Sequence, residues 1–234
     1  MSQASYGQFC PVAMAAEILC TRWTILLLRE LICGSVRFNE LRRGLPRMSP
    51  ALLSQRLKEL ETAGVVQRVS SAKEPDIFEY HLAPAGRELE PLVMAFGTWG
   101  QRWVKSELSL QKLDAQLLMW DMRRNLNPEP IPKRRCVINF QYPTLPQQER
   151  LWWLVVEPST EIDLCQIDPG FDVDLYVTTD LRTMTAIWMG AETVRNALKN
   201  ERLLLTGNRQ LATDMQTWLG LSVFARPQAA LAEG

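Results

Sequence analysis

Hydrogen-bonding side chains follow Ser49 along one stretch of the chain, and basic side chains lie before and after it. Hydroxyl and amide groups can bond to the edges of nucleic-acid bases, and glutamine can pair with adenine through two hydrogen bonds. Arginine and lysine bind phosphate oxygens, which positions a protein on a nucleic acid without reading its sequence. The base-contact candidates are Ser49, Ala51, Ser54 and Gln55. The phosphate-contact candidates are Arg37, Arg42, Arg43, Arg47, Lys58 and Lys73.

One amphipathic helix would position most of these side chains. Ser49 followed by Pro50 indicates a helix start, because serine caps the first turn and proline fits the first helical position. The helix is predicted to run to Ala63, with Gly64 just past its end. One buried stripe at helical spacing is formed by Leu53, Leu57 and Leu60.

Two residues of this helix have competing interpretations. Gln55 lies at the centre of the face opposite the leucines, where it either contacts a base or is an ordinary solvated side chain. Arg56 flanks the leucine stripe, so an internal ion pair is the alternative to a DNA contact.

The elements around this helix follow a recognisable order. Helices are predicted over 11–19, over 22–32 with Thr21 as its N-cap, and over 38–43. Strands are predicted over 65–70 and 77–82, and a long helix runs from Pro84 to about Ser106. This order is that of a helix-turn-helix followed by a β-hairpin wing, in which the helix after Pro50 enters the major groove.

The same residues resemble a known family. Cys10-Pro11-Val12, Arg22-Trp23-Thr24, Arg37-Phe38-Asn39-Glu40-Leu41, the run from Ser49 to Leu57, and Tyr80-His81-Leu82 are similar to HxlR-type winged-helix regulators over about residues 10–104. The resemblance implies a dimeric, DNA-binding bacterial transcription factor. One departure is Ala83, where the family often has a capping hydroxyl. Another is the wing, where Lys73 is counted as the only basic residue and lies beside two acids, which argues against strong wing contacts to DNA.

Large apolar residues on the long helix are candidates for a dimer interface. Phe96, Trp99 and Trp103 recur at helical spacing, and they would pack either inside the domain or against a second copy. The second copy is favoured, because a regulator that binds a palindromic operator needs two-fold symmetry.

Cys10 is the candidate for redox chemistry. It precedes Pro11 at a helix start, where the helix dipole favours a thiolate. The resemblance adds that some HxlR-type regulators sense oxidants through a cysteine near the N-terminus. The favoured alternative is a buried or idle thiol, and Cys20 and Cys33 are expected to be structural. The five cysteines are odd in number and widely spaced, which favours a reducing cytoplasm. They include no CxxC pair, so neither a zinc ribbon nor a thioredoxin-type site is expected, and no metal site is predicted.

The C-terminal half has strands followed by helices. Residues 109–132 are predicted to be a helix and a proline-rich connector. Four strands are predicted over 136–142, 151–156, 162–167 and 171–179, and helices over 181–189, 192–200 and 208–219. This grouping predicts an α+β sheet-and-helix domain.

This half is similar to a sterol carrier protein (nonspecific lipid-transfer) domain over about residues 133–220. The similar segments are Val173 to Val177, Asp180 to Thr185, Trp188-Met189-Gly190 and Leu203 to Gly207. The resemblance implies a sheet with helices over one face enclosing an apolar tunnel. The ligand-lining candidates are Trp152, Trp153, Trp188 and Met189. The alternative for such aromatics is that they simply fill the core.

Charge is unevenly distributed along a chain of 234 residues whose formal net charge is zero. Residues 22–58 carry eight basic and two acidic residues, a net +6, whereas residues 149–180 carry eight acids and one arginine, a net −7. Such asymmetry indicates that the basic part faces an anionic partner and the acidic part faces away from it; the alternative is that both segments are ordinary solvated faces. The alternating acids Asp163, Asp168, Asp172 and Asp174 are expected on a solvent face rather than around calcium.

The sequence therefore predicts a two-domain regulator rather than an enzyme. It has one histidine, His81, and it has no GxSxG elbow, P-loop or HExxH motif. The expected organisation is a winged helix over 1–108, the connector over 109–132, and a sterol-carrier-like effector or dimerisation domain over 133–234. Operator DNA, a second copy and an apolar effector are the expected partners, with no cofactor, no signal peptide and no membrane span. Two alternatives remain: a redox sensor acting through Cys10 with a structural C-terminal domain, and a lipid-carrier or protein-interaction module that binds no DNA.

Overall fold

The computed structural model describes residues 5–72, 74–104, 113–159 and 162–225. The chain divides into two compact units, Met1–Trp99 and Gly100–Gly234, which are described separately below. Lys73, one of the predicted phosphate contacts, lies outside the described residues. Within the described parts no single helix is long and apolar enough to span a membrane. Two short helices, Pro11–Leu19 and Thr24–Ile32, together have the length and apolar composition of a span, but the chain bends by 80° between them.

The first unit is a helix-turn-helix followed by a β-hairpin, which confirms the predicted order of elements. Strands β1 and β2 are antiparallel, with Arg68 opposite Tyr80. The elements are α1 Pro11–Leu19, α2 Thr24–Ile32, α3 Phe38–Gly44, α4 Pro50–Thr62, β1 Val66–Ser70, β2 Phe78–Leu82 and α5 Pro84–Arg87, and α6 Glu90–Trp103 starts in this unit.

Two helix starts differ from the prediction. Helix α2 begins at Thr24 rather than Arg22, because Trp23 has a φ of 79° and breaks the helical path before it. The long helix predicted from Pro84 is interrupted between α5 and α6. Pro91 has no N–H to donate to the carbonyl of Arg87, so the helix restarts with this proline in its first turn.

The predicted leucine stripe forms part of the core of the first unit. Leu53, Leu57 and Leu60 of α4 are buried against the leucines of α2 and Leu41 of α3. Burying three leucines contributes roughly 1.5–3 kcal/mol each. The stripe therefore fixes which face of α4 points inward.

The second unit contains a five-stranded mixed sheet and helices. The strand order is β5-β4-β3-β6-β7, in which β3 and β6 are parallel and the other neighbours are antiparallel. The elements are α7 Ala115–Asn125, β3 Cys136–Gln141, a 3-10 turn Gln147–Glu149, β4 Leu151–Val156, β5 Ile162–Cys165, β6 Leu175–Thr179, α8 Leu181–Trp188, α9 Val194–Lys199, β7 Leu203–Gly207, α10 Arg209–Thr213 and α11 Met215–Leu219.

Three features of this unit differ from the prediction. The sheet has a fifth strand, β7, which the prediction did not include. The last helical stretch is two helices, α10 and α11, separated at Asp214. Strand β6 begins only at Leu175, because the carboxylate of Asp174 accepts hydrogen bonds from Arg134 and from the Val137 amide instead of facing solvent.

Helices α7 to α11 of the second unit pack on one face of its sheet. Residues of α7, α8, α9, α10 and α11 share one core with Ile138, Phe140 and Leu154 of the sheet. A small second cluster, built around Val137, Trp153 and Val155, lies on the other face. Helix α7, which the sequence assigned to the connector region, is thus part of this core.

Candidate nucleic-acid interface

Helix α4 presents the predicted base-contact residues to solvent. The Ser49 hydroxyl accepts a hydrogen bond from the Leu52 amide at 3.3 Å, which caps the helix as predicted. The exposed candidates are Ser49, Ala51, Ser54 and Gln55. Ala51, Gln55 and Lys58 lie one turn apart on the face opposite the buried leucines, so this face is available to a groove.

A buried ion pair anchors the helix that precedes α4. Glu30 of α2 is fully buried and pairs with Arg29 at 2.6 Å. The Ser35 hydroxyl donates to the other oxygen of Glu30 at 3.3 Å, and Arg29 also donates to the Gly44 carbonyl at the end of α3 at 3.2 Å. Removing one partner of such a pair leaves an uncompensated buried charge, so the contact fixes α3 on α2.

The side chains of Gln55 and Arg56 both bond to Glu59. The Gln55 amide donates to Glu59 Oε1 at 2.9 Å, and the Arg56 guanidinium pairs with Glu59 Oε2. Arg56 also donates to the carbonyl of Arg22 at 3.3 Å. The internal ion pair considered for Arg56 is therefore confirmed, and Gln55 has a protein partner in the unbound chain.

Arg37 differs from the other phosphate-contact candidates. Its guanidinium bonds to Glu74 in the hairpin turn at 2.7 Å and lies 3.7 Å from Glu79 of β2, so acids of the hairpin balance its charge. The hydrogen bond to Glu74 is the main cause that raises the pKa of Arg37. The other described candidates are exposed: Arg42, Arg43, Arg47 and Lys58.

The hairpin carries a basic residue that the sequence analysis missed. Arg68 of β1 is exposed and lies over the exposed ring of Phe78 at 3.6 Å from its centroid. Strand alternation places Arg68 on the same side as buried Val66, two residues before it, so the sequence pattern gave no signal that Arg68 is exposed. The wing therefore has basic character that does not depend on Lys73.

Ion pairs reduce the charge imbalance that the sequence indicated. In the basic segment Arg37 and Arg56 are each paired with acids of the same unit. In the acidic segment Asp174 and Glu157 pair with Arg134 and Arg135, which precede that segment in the chain. The expected repulsion of the C-terminal half from DNA is therefore weaker than the count of charges implies.

An apolar groove runs between α1, α2 and α6 in the first unit. Its volume is about 980 Å³. The aromatic residues Phe96 and Trp99 line it, and they are 63% and 62% exposed, so they do not belong to the core of their own unit. Trp103, at the end of α6, is 67% exposed. Exposed apolar surface of this extent is typical of an interaction site.

Cys10 lies at the N-cap of α1. The amides of Ala13 and Val12 hydrogen-bond to its sulfur and lower its pKa below the ordinary thiol value of 9.0. Hydrogen bonds to the thiolate favour the ionised form, which is the reactive one. The placement that the sequence predicted for this residue is present in the structure.

The four ligand-lining candidates do not share one cavity wall. Trp152 and Trp153 are neighbours on β4, and neighbours on a strand point to opposite faces, so Trp152 lies in the main core and Trp153 in the small cluster. Trp188 is buried and donates from its indole nitrogen to Asp121 at 2.8 Å, and Met189 packs against the main core. A groove of about 750 Å³ in this unit is lined by other residues, among them Thr193, Val194, Arg195, Leu198, Gln216 and Leu221.

The chain is similar to known helix-turn-helix regulators in its first unit. Residues 18–108 match the family model described as HxlR-like helix-turn-helix. The chain is 39% identical over 99 residues to the HTH-type transcriptional regulator YvaP of Bacillus subtilis, covering 42% of this chain and 92% of that protein. It is 37% identical over 101 residues to the HTH-type transcriptional regulator sll1512 of Synechocystis, covering 43% of this chain and 75% of that protein. A solved chain of the redox regulator HypR in its reduced form is 34% identical, with 43% of this chain and 99% of that chain covered and a TM-score of 0.39.

Proposed function

The chain belongs to the HxlR-like helix-turn-helix family of transcriptional regulators. On that premise we propose that it binds a specific operator as a homodimer. The observation that supports sequence-specific binding is the exposed polar face of α4, which is held outward by its buried leucines. A helix with such a face fits the major groove, where each base pair presents a distinct pattern of donors and acceptors.

Within this proposal, the contacts divide into two groups. Ser49, Ala51, Ser54 and Gln55 meet base edges, and the exposed side chains Arg42, Arg43, Arg47 and Lys58 meet phosphates. Arg68 contributes from the hairpin, whereas Arg37 stabilises the hairpin through Glu74 and Glu79.

Selection of bound duplexes from random DNA tests the proposal. The selected duplex and a scrambled one are then titrated with the protein at several salt concentrations. A regulator enriches one two-fold symmetric motif, and its affinity for both duplexes falls steeply as salt rises. If no duplex binds at low salt, DNA binding is wrong, and the lipid-carrier or protein-interaction alternative gains support. Binding without any enriched motif would contradict sequence specificity alone.

The homodimer is proposed through the groove between α1, α2 and α6. Phe96 and Trp99 would insert into the same groove of a second copy, which is how an isologous two-fold interface uses one patch twice. Stable interfaces bury roughly 800 Å² per partner, and exposed Val12 of α1 lines the groove together with Phe96 and Trp99. Two-fold symmetry would then be shared with the operator.

We also propose that the second unit has a sterol-carrier-like fold and binds an apolar effector. Its mixed sheet with all described helices on one face supports the fold. The groove beside Val194 and Leu198 is the candidate binding site, and the aromatic candidates do not line it. Thermal unfolding with and without medium-chain fatty acids tests this, because a ligand that binds only the folded state raises the midpoint. An unchanged midpoint for every acid at saturating concentration would favour a purely structural unit.

A second candidate function is redox sensing through Cys10. The lowered pKa of this thiol favours it. Oxidant would then release operator DNA from the unaltered protein but not from Cys10→Ser. Equal release from both proteins would remove this candidate while leaving DNA binding intact.

A further inference from the structure

The amide of Gln55 has one orientation available to it in the unbound protein. Its Nε2 donates to Glu59 Oε1 at 2.9 Å, one helical turn further along α4. An ionised carboxylate only accepts hydrogen bonds, so only the NH2 end of the amide can face Glu59. The carbonyl oxygen of Gln55 therefore lies at the other end of the amide group.

Glu59 is itself fixed by Arg56. The guanidinium of Arg56 pairs with Oε2, the carboxylate oxygen that Gln55 does not use. The Arg56 side chain is only 14% exposed, and it also donates to the carbonyl of Arg22 in the turn before α2. A continuous series of hydrogen bonds thus connects that turn with the exposed amide of Gln55.

The charge state of Glu59 agrees with this arrangement. Burial alone would raise its pKa, but hydrogen bonds from Gln55 and Arg56 outweigh burial and hold the pKa below its ordinary value. Glu59 is therefore ionised at neutral pH and acts only as an acceptor.

A fixed amide matters because glutamine can present two different patterns to a base edge. With one orientation, its carbonyl accepts from adenine N6 while its second N–H donates to adenine N7; rotating the amide by 180° exchanges donor and acceptor. The NH2 group has two hydrogens, so one can bond to Glu59 while the other meets a base. Fixing the orientation before binding removes the competing pattern.

We propose that Glu59 and Arg56 are positioning residues that hold the Gln55 amide in the orientation that reads adenine, so that the operator half-site carries adenine where Gln55 meets it. This inference rests on the proposed function, since it assigns base specificity to the same face of α4. Glu59 does not contact DNA in this scheme; it acts through Gln55.

The test compares base preference among variants of the full chain. Selection from random duplexes, followed by competition with single-base variants of the enriched half-site, gives the preference at each position. The unaltered protein is expected to prefer adenine at one position by about tenfold, and Gln55→Ala should lose that preference. Glu59→Gln can offer Gln55 either end of its own amide, so the preference should fall to about twofold. Glu61→Gln removes the same charge from an exposed position of α4 and should keep the full preference.

Three outcomes would overturn the inference, and they are distinguishable. If Glu59→Gln keeps the tenfold preference that Gln55→Ala loses, Glu59 does not position the amide. If Gln55→Ala keeps the preference, Gln55 reads no base, although operator binding stands. If the unaltered protein enriches no motif, the proposed function fails and the inference fails with it.

A measurement without DNA keeps the inference testable should Glu59→Gln unfold. In NMR spectra of the free protein, the side-chain NH2 resonances of Gln55 should shift when Arg56 is replaced by Lys. Lysine keeps the charge, but it cannot bond to both Glu59 and the Arg22 carbonyl as arginine does. Resonances that stay unchanged in Arg56→Lys would overturn the series of hydrogen bonds.

Discussion

The carboxylate of Glu30 occupies the space in which a side chain at residue 44 would lie. A Cβ built on Gly44 would come within 1.8 Å of Glu30 Oε2 and 2.1 Å of its carboxyl carbon. Glu30 is fully buried, and moving its carboxylate would cost free energy because its bonds to Arg29 and Ser35 would break. The end of α3 can therefore approach α2 only because residue 44 has no side chain.

Gly44→Ala is expected to destabilise the first unit. The methyl group would displace a buried, paired carboxylate, and overpacking of this kind costs about 1–3 kcal/mol, with more if the ion pair opens. Urea unfolding followed by circular dichroism measures the change. Gly100→Ala is the matched control, because its added Cβ meets nothing within 4 Å. Equal stability of Gly44→Ala and the unaltered protein would mean that Glu30 is not seated against this glycine.

Arg42→Gln and Arg37→Gln remove the same charge but should affect DNA binding differently. Arg42 is exposed before α4, so its loss should weaken binding to all sequences by about fivefold at low salt and reduce the salt slope by about one. Arg37 is balanced by Glu74 and Glu79, so its loss should change the slope much less and loosen the hairpin instead. Fluorescence anisotropy of labelled duplexes across a salt series separates the two. Equal slopes for both variants would contradict the division of roles.

The arrangement of the first unit could be predicted because local signals there agree with one another. Ser49, Pro50 and the leucines of α4 specify a start, a direction and a buried face without any information from distant residues. The break before α6 was missed although its cause, Pro91, is equally local. The contacts of Glu30, Gly44 and Arg56 join residues far apart in sequence, so periodicity could not reveal them.

The second unit shows what a hydrophobic pattern leaves undetermined. Among the residues that the structure describes, strand β7 pairs only with β6 and has an exposed apolar residue, Leu204, so its burial pattern lacks a clear alternation. The start of β6 depends on Asp174 bonding to Arg134 and Val137, which a regular period of two in the sequence conceals. The opposite faces of Trp152 and Trp153, in contrast, follow from strand geometry and could have excluded a shared cavity.

Trp99→Glu is expected to dissociate the proposed homodimer. A charge placed in an apolar interface has no partner there, and the resulting loss of several kcal/mol raises the dimer dissociation constant by about 100-fold or more. Sedimentation velocity across a concentration series measures the shift. Ile167→Glu is the control, since Ile167 is 83% exposed and does not line the groove. If Trp99→Glu sediments like the unaltered protein at every concentration, the dimer uses another surface.

Cys10 and Cys136 should differ strongly in their reaction with iodoacetamide. The thiolate is the reacting species, so a lowered pKa means that more thiolate is present at neutral pH, and the rate at Cys10 should reach half of its plateau below the ordinary value of 9.0. Burial raises the pKa of Cys136 to about 12, and its sulfur is shielded from reagent. Cys136 should therefore react only after the protein is unfolded.

Mass spectrometry of alkylated peptides across a pH series follows each cysteine separately. Ala13→Pro removes one of the two amides that stabilise the Cys10 thiolate, at a position in the first turn of α1 where proline is tolerated, so the rate profile of Cys10 should move to higher pH. Cys136 should be unaffected by that substitution. If the Cys10 profile in the unaltered protein already centres at or above 9.0, the helix start does not activate the thiol, and the redox candidate loses the observation on which it depends.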